Sequence, residues 1–249
     1  MYLQDFFLKN PACAVAFSGG VDSAVLLHAA VSYGNRTAAY FVKTPFQPDF
    51  ELEDARNTVQ QLGVPLTVLA FDILSFPPGS ANPPDRCYHC KRALFSRLLA
   101  AAKADNFPLV LDGCNASDDA SDRPGMRALA ELGVRSPLRE CGIDKASVRR
   151  MAREAGLPVW DKPSYACLAT RVPSGTKITL DALAQVAEGE KRLMRLGFSD
   201  FRLRMREDGF LLQVRAEQTA LAQRLLPEIN RQLSAAVSLD PAPRISRET

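Results

Sequence analysis

Apolar positions along this chain fall into short continuous runs separated by amphipathic stretches. Residues 14–17, 37–42, 66–71 and 109–111 form four such runs, of a length and composition suited to strands covered on both faces. Between them lie segments with helical spacing: 24–30 directly after the first run, 50–62 with an acidic start at Glu51, Glu53 and Asp54, and 88–103. Strands that alternate with helices predict an α/β fold, a doubly wound parallel sheet that presents ligands at the carboxyl ends of its strands. Beyond Pro158 the pattern changes. Residues 158–167 are Pro-rich and aperiodic, and they lead into a helix over 179–196. Two strands follow, 201–205 and 210–214, joined by Glu207-Asp208-Gly209, and then a helix over 217–233. This second pattern predicts a small α+β domain, with divisions at 1–158 and 159–240 and a loose polar tail over 241–249.

The first run ends in Ser18-Gly19-Gly20-Val21-Asp22-Ser23 and restarts as a helix. A strand that breaks into a Gly-Gly turn before a helix aims free backbone N–H groups and the helix dipole at one point, a natural seat for phosphate. Ser18 and Ser23 add hydroxyl donors, Gly19 and Gly20 let the backbone approach an anion, and Asp22 can hold Mg²⁺ or orient the loop. The segment lacks the Lys of a Walker loop and the three spaced glycines of a dinucleotide fingerprint. It resembles the PP-loop of the ATP pyrophosphatases, which implies ATP cleaved between its α- and β-phosphates. A second strand end carries Asp112-Gly113-Cys114-Asn115, then Asp118, Asp119, Asp122 and Arg123. Hard carboxylate oxygens there suit a Mg²⁺ that travels with a triphosphate, and Arg123 suits a phosphate or carboxylate. The bland reading, an acidic solvated loop, stands beside it.

At 249 residues and a net charge of +3, with no block of consecutive Lys or Arg, the chain gives little case for a nucleic-acid partner. Positive charge is denser between Lys191 and Arg215, which suits an anionic small molecule equally well. No run is long enough to span a bilayer and the first residues lack a signal-peptide pattern, so the expectation is a cytoplasmic protein with no membrane partner. Six cysteines in such a chain point to metal, cluster or sulfur chemistry rather than a disulfide scaffold. Cys87 and Cys90 have the spacing of two ligands to one metal, a redox pair or a cluster edge. Cys167 is the natural third thiol, lying in a loop where Lys162 and Arg171 would favour its thiolate. Cys13, Cys114 and Cys141 read as structural, Cys114 without a partner in its own stretch and Cys141 after a loop strand. His28 reads as a packing residue, while His89 remains an alternative ligand.

Taken together, the 18–23 loop, the 112–125 segment, Ser136-Pro137-Leu138, and the stretches Trp160-Asp161-Lys162-Pro163 and 166–175 resemble the LarE family. The likeness runs from about Phe17 to beyond Leu196. It implies an ATP-dependent sulfurtransferase that adenylates a carboxylate of pyridinium biscarboxylic acid mononucleotide and installs sulfur, in assembly of the nickel-pincer nucleotide of lactate racemase. It also implies a symmetric homo-oligomer. Two sulfur sources occur in the family: a sacrificial cysteine at the position of Cys167, or a 4Fe–4S cluster on three cysteines. The presence of Cys87, Cys90 and Cys167 implies the second. Arg171, Glu190 and Arg204 fall where the family places substrate residues, whereas Gln213 stands where a Glu is expected. Other enzyme readings are tRNA thiolation, and NAD- or GMP-synthetase-like amidation. A nucleotide-binding module with structural zinc is a non-catalytic one.

Overall fold

The computed structural model describes residues 2–118 and 124–244. Along the chain run α1 (Leu3–Lys9), β1 (Ala12–Ala16), α2 (Val21–Ser32), β2 (Arg36–Lys43), α3 (Asp49–Leu62), β3 (Leu66–Ala70), α4 (Pro77–Ser80), α5 (Arg86–Ala104) and β4 (Val110–Leu111). From Pro124 onward come α6 (Pro124–Glu131), α7 (Pro137–Glu140), α8 (Lys145–Glu154), α9 (Leu180–Arg195), β5 (Arg202–Arg206), β6 (Gly209–Gln213), α10 (Thr219–Leu233) and β7 (Val237–Leu239). They divide into two compact units. The first comprises Met1–Thr44, Asp49–Asp72 and Asp85–Lys162; the second comprises Pro45–Pro48, Ile73–Pro84 and Pro163–Thr249.

The first unit is built on a parallel sheet of order β3-β2-β1-β4. Strand side chains alternate between two cores, as a period of two requires. Cys13, Val15, Ala39 and Phe41 pack with α1, α2 and α8 residues such as Phe6, Leu26 and Val148. Ala14, Ala38 and Tyr40 face the other way, onto Leu98 and Ala102 of α5 and Leu129 of α6. Helices on both faces explain why β1 and β2 read as unbroken apolar runs. The α2 helix is buried around most of its circumference, so its sequence is apolar rather than amphipathic. Strand order moves outward from β1 to β3 and then returns to place β4 on the other side of β1. That reversal puts the switch point, where such sheets bind ligands, between the carboxyl ends of β1 and β4.

In the second unit β5 and β6 form an antiparallel hairpin, and β7 adds in parallel to β6. The sequence pattern does not reveal β7, which has only three residues and alternates over too short a span to register. Proline-led stretches of the earlier chain belong here too: Ser80 O accepts from Ile178 N (2.7 Å), and Asn82 Nδ2 donates to Pro173 O (2.8 Å). The unit boundary falls at Lys162 and Pro163, and the two excursions lie outside what a single cut at 158 describes. The first part of the tail is tied down rather than loose. Asp240 N donates to Leu212 O (2.9 Å) and Arg244 N to Val214 O (2.7 Å); residues 245–249 lie outside the described residues.

Candidate active site

The loop after β1 closes on itself. Ser18 N donates to Ser23 Oγ (3.3 Å), Ser23 Oγ donates to Gly20 O (3.0 Å), and Gly20 N donates to Ser18 Oγ (3.3 Å). Gly19 has φ +75°, and a Cβ there would lie 2.8 Å from Glu51 O, so both conformation and space require glycine. The N-terminal turn of α2 begins at Val21, directly after this ring of hydroxyl and amide donors.

The wall across the switch point comes from the chain after β4. Gly113 packs so tightly that a Cβ would meet Ser23 N at 2.9 Å. Asn115 Nδ2 donates to Asp22 Oδ1 (2.9 Å), and Lys145 Nζ holds Asp22 Oδ2 (2.7 Å). Both carboxylate oxygens of Asp22 are thus engaged, which ties the phosphate loop to the chain after β4 and to α8. Lys145 N in turn accepts no freedom, since it donates to Ser117 Oγ (3.0 Å) at the start of α8, which Asp144 caps through Ser147 N. Asp112 is buried and accepts from Ser136 Oγ (2.6 Å), Cys114 N (3.2 Å) and Cys114 Sγ (3.0 Å). Asp118 Oδ2 accepts from Asn115 N (3.0 Å). The structure thus brings Ser18, Gly19, Gly20, Asp22, Ser23, Gly113 and Asn115 together, with Asp112 and Asp118 behind them. Arg123, Asp119 and Asp122 lie outside the described residues. Sequence reading missed Lys145, whose one signal is its place as first residue of a capped helix.

In the second unit Cys167 precedes a 3₁₀ turn, Leu168–Arg171. The Arg171 guanidinium is fully buried and meets Glu190 of α9 through two bonds, Nε to Oε1 (2.8 Å) and Nη2 to Oε2 (3.1 Å). Glu190 also accepts from the Tyr165 hydroxyl and from Leu203 N (3.1 Å). Arg171 Nη1 donates to Ala166 O (2.8 Å), and Thr170 Oγ1 donates to Cys167 O (2.8 Å). Arg171 and Glu190 pair in the interior of the second unit, and Arg171 supports the backbone of the Cys167 loop. The cations expected to favour the Cys167 thiolate are committed in the same way: Lys162 Nζ sits 2.5 Å from Asp54 Oδ2. Arg204 is part-buried and donates from Nε to Gln213 Oε1 (2.6 Å) and from Nη1 to Thr170 O (2.9 Å). Gln213 passes the contact on, donating from Nε2 to Asp240 Oδ2 (2.6 Å). A carboxylate at 213 has no proton to donate to Asp240, which gives the Gln a physical reason. Burial, reinforced by Arg171 and Arg244, pushes the Arg202 guanidinium down to about 10.

No family model matches the chain. It is similar to an uncharacterized protein of Synechocystis sp., 36% identical over 87% of this chain and 81% of that one. It is also similar to the pyridinium-3,5-bisthiocarboxylic acid mononucleotide synthase of Lactiplantibacillus plantarum, 34% identical over 89% of this chain and 81% of that enzyme. The chain belongs to the LarE family. As a LarE-family member it is an ATP-dependent enzyme of the PP-loop type. The same α/β fold occurs in NMN synthetase from Francisella tularensis, with a TM-score of 0.53 at 19% identity, covering 65% of this chain and 70% of that one.

All six cysteines of this LarE-family chain are outside disulfides. Cys87 and Cys90 lie in the first turns of α5, three residues apart and so on one helical face, Cys87 exposed and Cys90 buried. His89 between them pairs with Asp85 (3.0 Å). In kind, the thiols of Cys87, Cys90 and Cys167 suit an iron–sulfur cluster. Among the described residues, no three His, Cys, Asp or Glu side chains gather as a metal-holding group. Cys13 is buried in the core. Cys141 follows the short α7 helix and not a strand. Cys114 does have a partner in its own stretch: burial first, then the Asp112 carboxylate, pushes its thiol up to about 12.

Proposed function

We propose that the chain is an ATP-dependent sulfurtransferase acting on a pyridinium biscarboxylic acid mononucleotide. The observation that carries this is the glycine-tight phosphate loop, locked by Asn115 and Lys145, in a chain 34% identical to a bisthiocarboxylic acid mononucleotide synthase. ATP with Mg²⁺ places its polyphosphate against Ser18, Gly19, Gly20 and Ser23. A carboxylate oxygen of the substrate attacks the α-phosphorus, a P–O bond to that oxygen forms, and the α–β bridge breaks to release pyrophosphate. Activation is needed because an oxide is a very poor leaving group, whereas AMP leaves with its charge stabilised. A sulfur nucleophile then adds at the acyl carbon, and the C–O bond to AMP breaks to leave a thiocarboxylate.

In this reading Cys87, Cys90 and Cys167 hold a 4Fe–4S cluster, which when bound supplies the sulfide. The loop around Cys167 is a fit place for such work, because Arg171, Glu190 and Tyr165 order its backbone. Arg204, which the family resemblance places at the substrate, donates to Thr170 O of that loop. The deciding experiment is iron, acid-labile sulfide and zinc analysis on protein purified without oxygen, for wild type and Cys167→Ala. Iron and sulfide together, depleted in the variant, are expected. Metal-free protein that loses the Cys167 sulfur in a single turnover would assign a sacrificial cysteine instead, and zinc alone would overturn sulfur delivery from a cluster.

A further inference from the structure

The loop that carries Cys167 is gripped at both ends by the same strand. Arg202 Nη2 donates to Ser164 O (3.0 Å) and Arg204 Nη1 donates to Thr170 O (2.9 Å). Two residues apart on β5, these side chains share a face of the sheet. Between them Leu203 N donates to Glu190 Oε1, the carboxylate that neutralises Arg171. Three successive residues of β5 thus direct a donor at the loop or its ion pair.

Each arginine is backed by the end of the chain. Arg204 is aimed by Gln213, and Gln213 by Asp240. Arg202 lies 3.8 Å from Asp200 Oδ1, the oxygen that Arg244 Nε also approaches at 3.0 Å. Asp240 and Arg244 are themselves held through their backbone N–H groups on Leu212 and Val214 of the sheet. Four guanidinium groups would repel one another here without these acids and carbonyls. A lone arginine has many rotamers, so an oriented one needs such backing.

We infer that Arg202 and Arg204 are positioning residues that staple the two ends of the Cys167 loop, and that residues 240–244 set the staple through Gln213 and Asp200. The Gln213 relay orients Arg204, and Arg204 fixes the carbonyl of Thr170, whose hydroxyl holds Cys167 O. This rests on the proposed part of Cys167 in sulfur delivery, although the staple itself is read without any activity.

The test is hydrogen–deuterium exchange, resolved by mass spectrometry, on the full chain of wild type, Gln213→Ala and Arg204→Lys. Gln213→Ala leaves the guanidinium charged but unaimed. Arg204→Lys keeps the charge but replaces a fork by a single point that does not reach both Gln213 and Thr170. In both variants the amides of residues 166–171 should exchange about tenfold faster, with α9 unchanged. The rate of sulfur transfer should fall while the KM for ATP stays constant. Unchanged loop exchange in either variant, or exchange that rises equally in α9, overturns the staple. Cys167→Ala with full sulfur transfer would instead overturn the functional reading and leave the exchange result standing.

Discussion

At the level of single residues, the clearest contrast is between two neighbours on the chain after β4. Gly113 is legible in sequence only as part of a strand-end motif, and its need for space appears in the fold, where a Cβ would lie 2.9 Å from Ser23 N. The partner of Cys114 is not legible there, because the bond to Asp112 depends on how the backbone turns after Leu111. Burial first, and then the Asp112 carboxylate that accepts from it, keep the thiol protonated. The folded thiol lies at about 12, whereas an unfolded one lies near ~8.5. The folded state therefore holds its proton more tightly, so this contribution to stability is complete below the unfolded value and fades as pH rises toward the folded one. Alkylation by iodoacetamide, followed residue by residue, should leave Cys114 nearly inert between about pH 7 and 9, far slower than ordinary thiols, whose rate rises about 25-fold over that range. A Cys114 rate equal in size to that of the ordinary thiols would show that burial and Asp112 do not hold its proton.

Among the elements, the parallel strands and long helices were legible because their periodicity is local. The starts shift by two or three residues: α2 starts at Val21, within the phosphate loop, and α5 at Arg86, which brings Cys87 and Cys90 inside a helix. The short, proline-led helices α4 and α7 were not legible, since four residues carry no period. The 3₁₀ turn after Cys167 ends at Arg171, an arginine that sequence reading gives to the substrate and to the Cys167 thiolate, and that the fold buries. Its burial is tolerable because every side of the guanidinium meets an acceptor. Glu190→Gln leaves that cation without its counter-charge and should cost about 3 kcal/mol in equilibrium urea unfolding. A loss below about 0.5 kcal/mol would be the behaviour of an exposed pair, contrary to the burial of Arg171 and Glu190.

For the molecule as a whole, charge is the property that the linear sequence misrepresents most. The basic stretch from Lys191 to Arg215 reads as a surface for anions, but its members are largely spent within the second unit. Arg192 holds Glu188 and Gln232 O, Arg202 and Arg204 hold loop carbonyls, and Arg215 pairs with Glu217. Among the described residues these four arginines are partnered rather than arrayed as a free stripe that tracks a phosphate backbone, and the net charge is only +3. A gel-shift titration with tRNA at about 0.15 M salt should show no complex; a salt-dependent shift would revive a thiolation reading, which part of the chain invites through its 28% identity to a tRNA-specific 2-thiouridylase.

What the sequence determined by itself was the alternation of buried strands and helices, the glycine loop after the first strand, and the two-residue spacing of Cys87 and Cys90. Each depends on neighbours in the chain: side-chain period, glycine at a positive φ, a two-residue spacing. Only the tertiary structure decided which groups hold those features in place. Asp22 is secured by residues 93 and 123 positions away, the Cys167 loop by β5 and the end of the chain, and the second unit by two excursions from within the first. Such contacts join side chains whose separation in sequence carries no period, so they exist for the chemistry only once the backbone has folded.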